Sequence, residues 1–142
     1  MVIRVHLDQT RVVAGQTIRG QAVVTNTTAK PILLRTCAKS GWLMVGLTNG
    51  KIPFDPVFAA VGCAPSVWLA PGQRRYSITV MTTYQACLQP GGHSVYPVPT
   101  CSPNGLPPLP SGTYRTKVVA EGLPETTEAA PVTVTLLPSG SR

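Results

Sequence analysis

Acidic side chains are nearly missing from this chain. Asp8, Asp55, Glu121, Glu125 and Glu128 are the full set, against twelve Lys and Arg, for a formal charge of +7. Three of those five acids fall between Glu121 and Glu128, where they read as a solvated hairpin end. Hydrolysis by a spaced pair of carboxylates has no candidates. Histidine is as scarce, with only His6 and His93. No Gly-x-Ser-x-Gly elbow accompanies them, so Ser-His-Asp catalysis lacks a nucleophile. No Cys-x-x-Cys redox motif is present, and no Cys-x₂₋₄-Cys knuckle with partner histidines would hold zinc. Gly91-Gly92 follows Pro90 instead of joining a strand to a helix, so it is no phosphate cradle. An enzyme is not expected, nor any cofactor or metal.

Long apolar runs are also lacking. The longest, such as Trp42 to Leu47, is far too short to cross a bilayer. The N-terminus enters the alternating Val2-Ile-Arg-Val-His-Leu7 directly and has no signal-peptide pattern. Helical periodicity never outlasts a turn. The basic residues are scattered, Arg74-Arg75 being the one adjacent pair, and aromatics are 6% of the chain. A nucleic-acid surface would carry a basic stripe with stacking aromatics, and no segment does. The charge reads as a solvated surface, with weak attraction to anionic cell-surface polymers or lipids as the lesser reading.

What is plentiful is glycine (13), proline (15), threonine and valine, the mixture of an all-β chain with many turns. Strict alternation places strands at Val2–Leu7, Ile18–Asn26 and Ile32–Cys37. Trp42–Leu47, the run after the turn Ala70-Pro-Gly-Gln73, Ser111–Ala120 and Val132–Leu137 follow. Core positions by the same alternation are Ile18, Val24, Leu34, Tyr76, Ile78, Val80, Tyr114, Val118 and Val134. Asn26-Thr27-Thr28 matches a glycosylation acceptor but reads first as a turn that bonds its own backbone. Trp42 reads as core; an exposed Trp68 beside Val67 and Leu69 would mark a contact patch.

The four cysteines, Cys37, Cys63, Cys87 and Cys101, have disulfide-like spacings of 26, 24 and 14. They allow three connectivities. Sequential pairing, Cys37–Cys63 and Cys87–Cys101, is expected because it closes the shortest loops. Disulfides imply an oxidising compartment, hence a secreted, envelope or extracellular location. The segment Thr83–Pro110 is long for a connection, and such loops tend to be functional. A Cys87–Cys101 bridge would staple it, lowering its unfolded-state entropy by about 3 kcal/mol. Trp68, Tyr84, His93 and Tyr96 are the candidate binding residues. Residues 1–138 read as one domain and 139–142 as a linker or tag remnant. The chain then reads as an excised domain or mature form, whose leader or anchor lies elsewhere.

Ala14-Gly15-Gln16 with Gly20-Gln-Ala-Val-Val-Thr-Asn26, Leu69-Ala-Pro-Gly-Gln73 and Pro110-Ser-Gly-Thr-Tyr114 together resemble immunoglobulin-like domains of bacterial extracellular proteins. The resemblance spans Val12 to Leu137, and the Ala/Gly/Pro/Val-rich composition is of the high-GC, actinobacterial kind. It implies a two-sheet antiparallel sandwich of seven or eight strands with a long stapled loop. It also implies a non-catalytic binding or display module for a protein partner or envelope component. The Thr-Asn turn, Leu-x-Pro-Gly turn and late Gly-x-Tyr strand are similar, more weakly, to the bacterial intracellular proteinase inhibitor family. That similarity implies the alternative, a protease inhibitor with a loop-borne site.

Overall fold

The computed structural model describes residues 1–36, 42–56, 66–93, 98–121 and 127–140. Every regular element among them is a β-strand: β1 (Val2–Leu7), β2 (Arg11–Val13), β3 (Ile18–Asn26), β4 (Ile32–Arg35), β5 (Leu43–Thr48), β6 (Ser66–Leu69), β7 (Gly72–Val80), β8 (Gly112–Ala120), β9 (Thr127–Glu128) and β10 (Thr133–Leu137). No described helix is long and apolar enough to cross a membrane.

The strands form two four-stranded sheets, ordered β7-β3-β1-β9 and β2-β10-β8-β5, and a two-stranded ribbon, β4-β6. The expected layout of two sheets and seven or eight strands is therefore too simple. The additional elements are short, and two or three residues carry no readable period. Uniformly antiparallel pairing is corrected as well, because β1 pairs parallel with β9 and β2 pairs parallel with β10. The cause is a double crossing between the sheets. Asp8 N–H still donates to Arg19 O of β3 at 2.9 Å, whereas Thr10 O already accepts from Thr135 N–H of β10 at 2.8 Å. Ala129 N–H likewise donates to Ile3 O of β1, and Val132 O accepts from Thr116 N–H of β8. The opening and closing segments thus change sheets side by side, running in the same direction.

Ile3, Val5, Ala22 and Val24 of one large sheet join Val45, Tyr114, Val118 and Val134 of the other in a single apolar cluster. Leu34 and Leu69 attach the ribbon to it. Each such side chain contributes roughly 1.5–3 kcal/mol by leaving water. Seven of the nine expected core residues are buried, while Tyr76 and Ile78 are half-buried against the cluster. Both lie on β7, an end strand with a neighbour on one side only.

Two buried polar side chains, Asn26 and Thr82, are satisfied through turns. Asn26 is buried; its Nδ2 donates to Lys30 O and Leu69 O, and its Oδ1 accepts from the N–H and hydroxyl of Thr28. The side chain closes its own turn, as expected, and its amide nitrogen is fully engaged. Thr82 is likewise buried: its hydroxyl donates to Gln16 O at 2.5 Å and accepts from Gly15 N–H at 2.8 Å. Gly15 has φ +101°, a conformation that costs glycine little.

Candidate functional site

β5 and β7 are end strands of opposite sheets, and a groove of about 370 Å³ opens between them. Its walls are mainly apolar, with Ile52, Phe54, Ile78, Met81, Tyr84 and Leu109 among them. The chain reaches this arrangement through the turn after β5. Asn49 Oδ1 accepts from Lys51 N–H at 2.8 Å and Ile52 N–H at 2.7 Å, which reverses the chain. The Ile52–Phe54 strip then returns along β5. The Phe54 ring settles over Gly46 so closely that a Cβ there would overlap it. Asp55 N–H donates to Gln85 Oε1 at 3.2 Å, which ties the strip to the opposite wall.

That opposite wall is the base of the Thr83–Pro110 excursion, whose described residues zip together by backbone hydrogen bonds. Leu109 N–H donates to Thr82 O, and Tyr84 N–H to Pro107 O, both at 2.9 Å. Farther out the Cys87–Cys101 disulfide forms as expected. Leu88 flanks it, donating to Pro99 O and accepting from Cys101 N–H, each at 2.8 Å. Gln89-Pro-Gly-Gly92 caps the ribbon, with Gly92 N–H donating to Gln89 O and Gly91 at φ +82°. Proline followed by a positive-φ glycine is what a type II turn requires.

No carboxylate, histidine or thiol lines the groove among the described residues. Its distinctive polar atom is Thr83 Oγ1, which is buried and has no hydrogen-bond partner. The Lys117–Asp55 ion pair, at 3.4 Å, is exposed and worth at most about 1 kcal/mol. Two ionisable groups elsewhere are perturbed. Burial, and secondarily Tyr84, push the Tyr114 phenol upward. Burial raises Glu128 above the usual carboxylate range, partly offset by hydrogen bonds from the Thr116 hydroxyl and the Val118 backbone. Among the described residues no group of three or more His, Cys, Asp or Glu could hold a metal ion. The arrangement is suited to holding an apolar group with one hydrogen-bonding atom.

The candidate residues read from the sequence are not gathered in one place. Tyr84 lines the groove. Trp68 is 60% exposed on β6, opposite Leu33, and is not among the groove residues. His93 is exposed just beyond the Gln89–Gly92 turn. Tyr96, Cys37 and Cys63 lie outside the described residues, so the expected Cys37–Cys63 pairing does too. Phe54, Met81 and Thr83 line the groove too, and the sequence alone marks Phe54 only as an apolar anchor and the other two not at all. The available signal was Asn49-Gly50 followed at once by Ile-Pro-Phe, a turn that sends apolar residues back onto the preceding strand. No protein-family model matches this chain, and no curated protein sequence matches it significantly.

Proposed function

We propose that this chain is a non-catalytic binding module, immunoglobulin-like in its sandwich, that works outside the cytoplasm. The groove between β5 and β7 takes an aliphatic or aromatic side chain of a protein partner. One observation carries the reading: a mainly apolar groove of about 370 Å³ whose buried Thr83 hydroxyl is unpaired. That volume lies at the small end of ligand pockets. A buried polar atom without a partner is costly, so turning the Thr83 hydroxyl toward a bound carbonyl or N–H beside the apolar side chain would relieve it.

Other features support the sandwich and the compartment. Tyr114 O–H donates to Pro110 O, four residues upstream, at 2.7 Å. Its pattern matches the tyrosine-corner bond of immunoglobulin-like domains. The Cys87–Cys101 disulfide favours an oxidising location. The stapled ribbon also supports the protease-inhibitor alternative, since a rigid base presents its exposed tip at low entropic cost.

Selection of binders from a displayed random-peptide library tests the groove. Selected peptides should share a large apolar residue and should bind Met81→Glu or Phe54→Ala protein at least about tenfold more weakly. Undiminished binding to both folded variants would remove the groove from consideration. Inhibition of a protease that is lost on replacing Gln89–His93 would favour the alternative.

A further inference from the structure

Arg74 and Arg75, the adjacent pair in sequence, point to opposite sides of β7. Arg74 pairs in register with the inward-facing Val24, and its guanidinium lies 5.6 Å from the Tyr76 ring centroid. Arg75 stands on the outer face. There it lies in register with Val23, and Val23 with Arg4, so the two arginines flank one valine across three strands. With strands about 4.8 Å apart, the Arg4 and Arg75 backbones are separated by roughly 10 Å. His6, Gln21 and Ser77 form the next row, followed by Asp8, Arg19 and Thr79, with Asp8 opposite Arg19 and two rows from Arg4 and Arg75.

The outer face of this sheet therefore gathers Arg4, Arg19, Arg75 and His6, all exposed, from three separate stretches of sequence. No ion pair engages them among the described residues; Arg75 Nη1 donates only to the neutral Gln21 Oε1, at 3.1 Å. Asp8 is the acid nearest in the chain, and its contact with Arg19 is backbone to backbone. Between Arg4 and Arg75 lies a depression of about 170 Å³, floored by Val23 and rimmed by Thr25 and Gln73.

We infer that this face docks an acidic polysaccharide, a sugar chain carrying carboxylate or sulfate groups. The guanidiniums match such oxyanions in two-pronged fashion, and a chain of charge +7 draws them in. The surrounding Thr, Ser and Gln side chains suit sugar hydroxyls. The outward-facing rows hold no Phe, Tyr or Trp, His6 being their one stacking ring, and their apolar members, Val2 and Val23, are too small to enter a bilayer. Those two facts favour a saccharide over single-stranded nucleic acid or membrane.

The test compares two double variants of equal charge. Arg4→Gln with Arg75→Gln alters this face; Arg11→Gln with Arg115→Gln removes the same charge from the other large sheet. Circular dichroism confirms folding, and binding is read by calorimetry or affinity chromatography on heparin and polygalacturonate. Arms with anionic phospholipid vesicles and single-stranded DNA run beside them. The expected result is polysaccharide binding that weakens with salt, falls at least about tenfold in the first variant and changes less than about twofold in the second. Equal losses in both variants would reduce the effect to net charge and overturn the inference. Tighter, Arg4/Arg75-dependent binding to vesicles or DNA, or no polysaccharide binding by the parent, would overturn it also.

Discussion

Trp42 and Tyr76 meet edge to face across the two large sheets, their ring centroids 5.4 Å apart and their planes at 89°. Trp42 precedes β5 and is fully buried; Tyr76 sits on β7, in the other large sheet. An edge-to-face pair adds about 0.5–1.5 kcal/mol beyond the area it buries. Yet the indole Nε1 and the Tyr76 hydroxyl are both buried without a hydrogen-bond partner. Packing, not polar pairing, holds this junction.

The two rings should therefore respond differently to mutation. Trp42→Ala leaves a cavity in the core and should cost about 3–5 kcal/mol. Tyr76→Phe keeps the ring contact and deletes an unsatisfied hydroxyl, so stability should stay within about 0.5 kcal/mol of the parent or rise. Urea denaturation gives both values. A loss above about 1.5 kcal/mol for Tyr76→Phe would mean that the hydroxyl has a partner in solution.

Much of this fold is legible along the chain, and the reason is local. β1 alternates throughout and β3 does so up to Ala22-Val23-Val24, between clear turns, so their observed spans coincide with the sequence reading. The Gly-Thr-Tyr opening gives β8 and places Tyr114 inside. β2 and β9 are illegible because three and two residues are too few to show a period. The groove is illegible for another reason. Ile78 lies on β7 and Phe54 on the strip that returns along β5 in the other sheet, and no sequence window contains both. The same holds for Arg4, Arg19 and Arg75, whose shared face depends on cross-strand register. Adjacency, conversely, does not gather charge here, since Arg74 and Arg75 part company on an alternating strand.

The Tyr114 hydroxyl bond to Pro110 O fixes the turn into β8 and should be measurable. Tyr114→Phe should lose about 1–2 kcal/mol by leaving that carbonyl short of a donor. In the parent protein the phenol is raised by burial first and by Tyr84 second, so the fold retains this proton more tightly than the unfolded chain. Its stabilisation is complete below the ordinary tyrosine value of 10.0 and fades as pH rises through the elevated folded value. Tyrosinate absorbance during alkaline titration should show one phenol ionising late. Its disappearance in Tyr114→Phe would assign it.

Gly46 and Phe54 form a second pair whose coupling can be isolated. A Cβ at position 46 would overlap the Phe54 ring, so Gly46→Ala must push the ring off β5. The expected cost is about 1–3 kcal/mol, typical of overpacking. Phe54→Ala removes the obstacle, and the double variant should be more stable than the sum of the single effects predicts, by at least about 0.5 kcal/mol. Strict additivity in a double-mutant cycle would show that the ring does not rest on Gly46.

Glu128 supplies the clearest pH dependence. Its Oε1 accepts from the Thr116 hydroxyl of the opposite sheet at 2.7 Å, and that hydroxyl also accepts from Val132 N–H at 2.9 Å. Burial disfavours the carboxylate more than these bonds favour it, so its folded value lies above the usual 4.5. Because the folded chain then binds the proton more tightly, Glu128 detracts from stability at neutral pH. That penalty shrinks as pH falls through the raised value and is gone below the unfolded one. Glu128→Gln keeps an oxygen for Thr116 and removes the charge, so it should stabilise the protein at pH 7. The gain should stay under about 1 kcal/mol, since the group retains solvent contact that screens it. Denaturation curves at neutral and mildly acidic pH should converge for the two proteins as the parent carboxylate protonates. A variant less stable than the parent at pH 7 would instead make the charged Glu128–Thr116 bond a net stabiliser of the junction between the sheets.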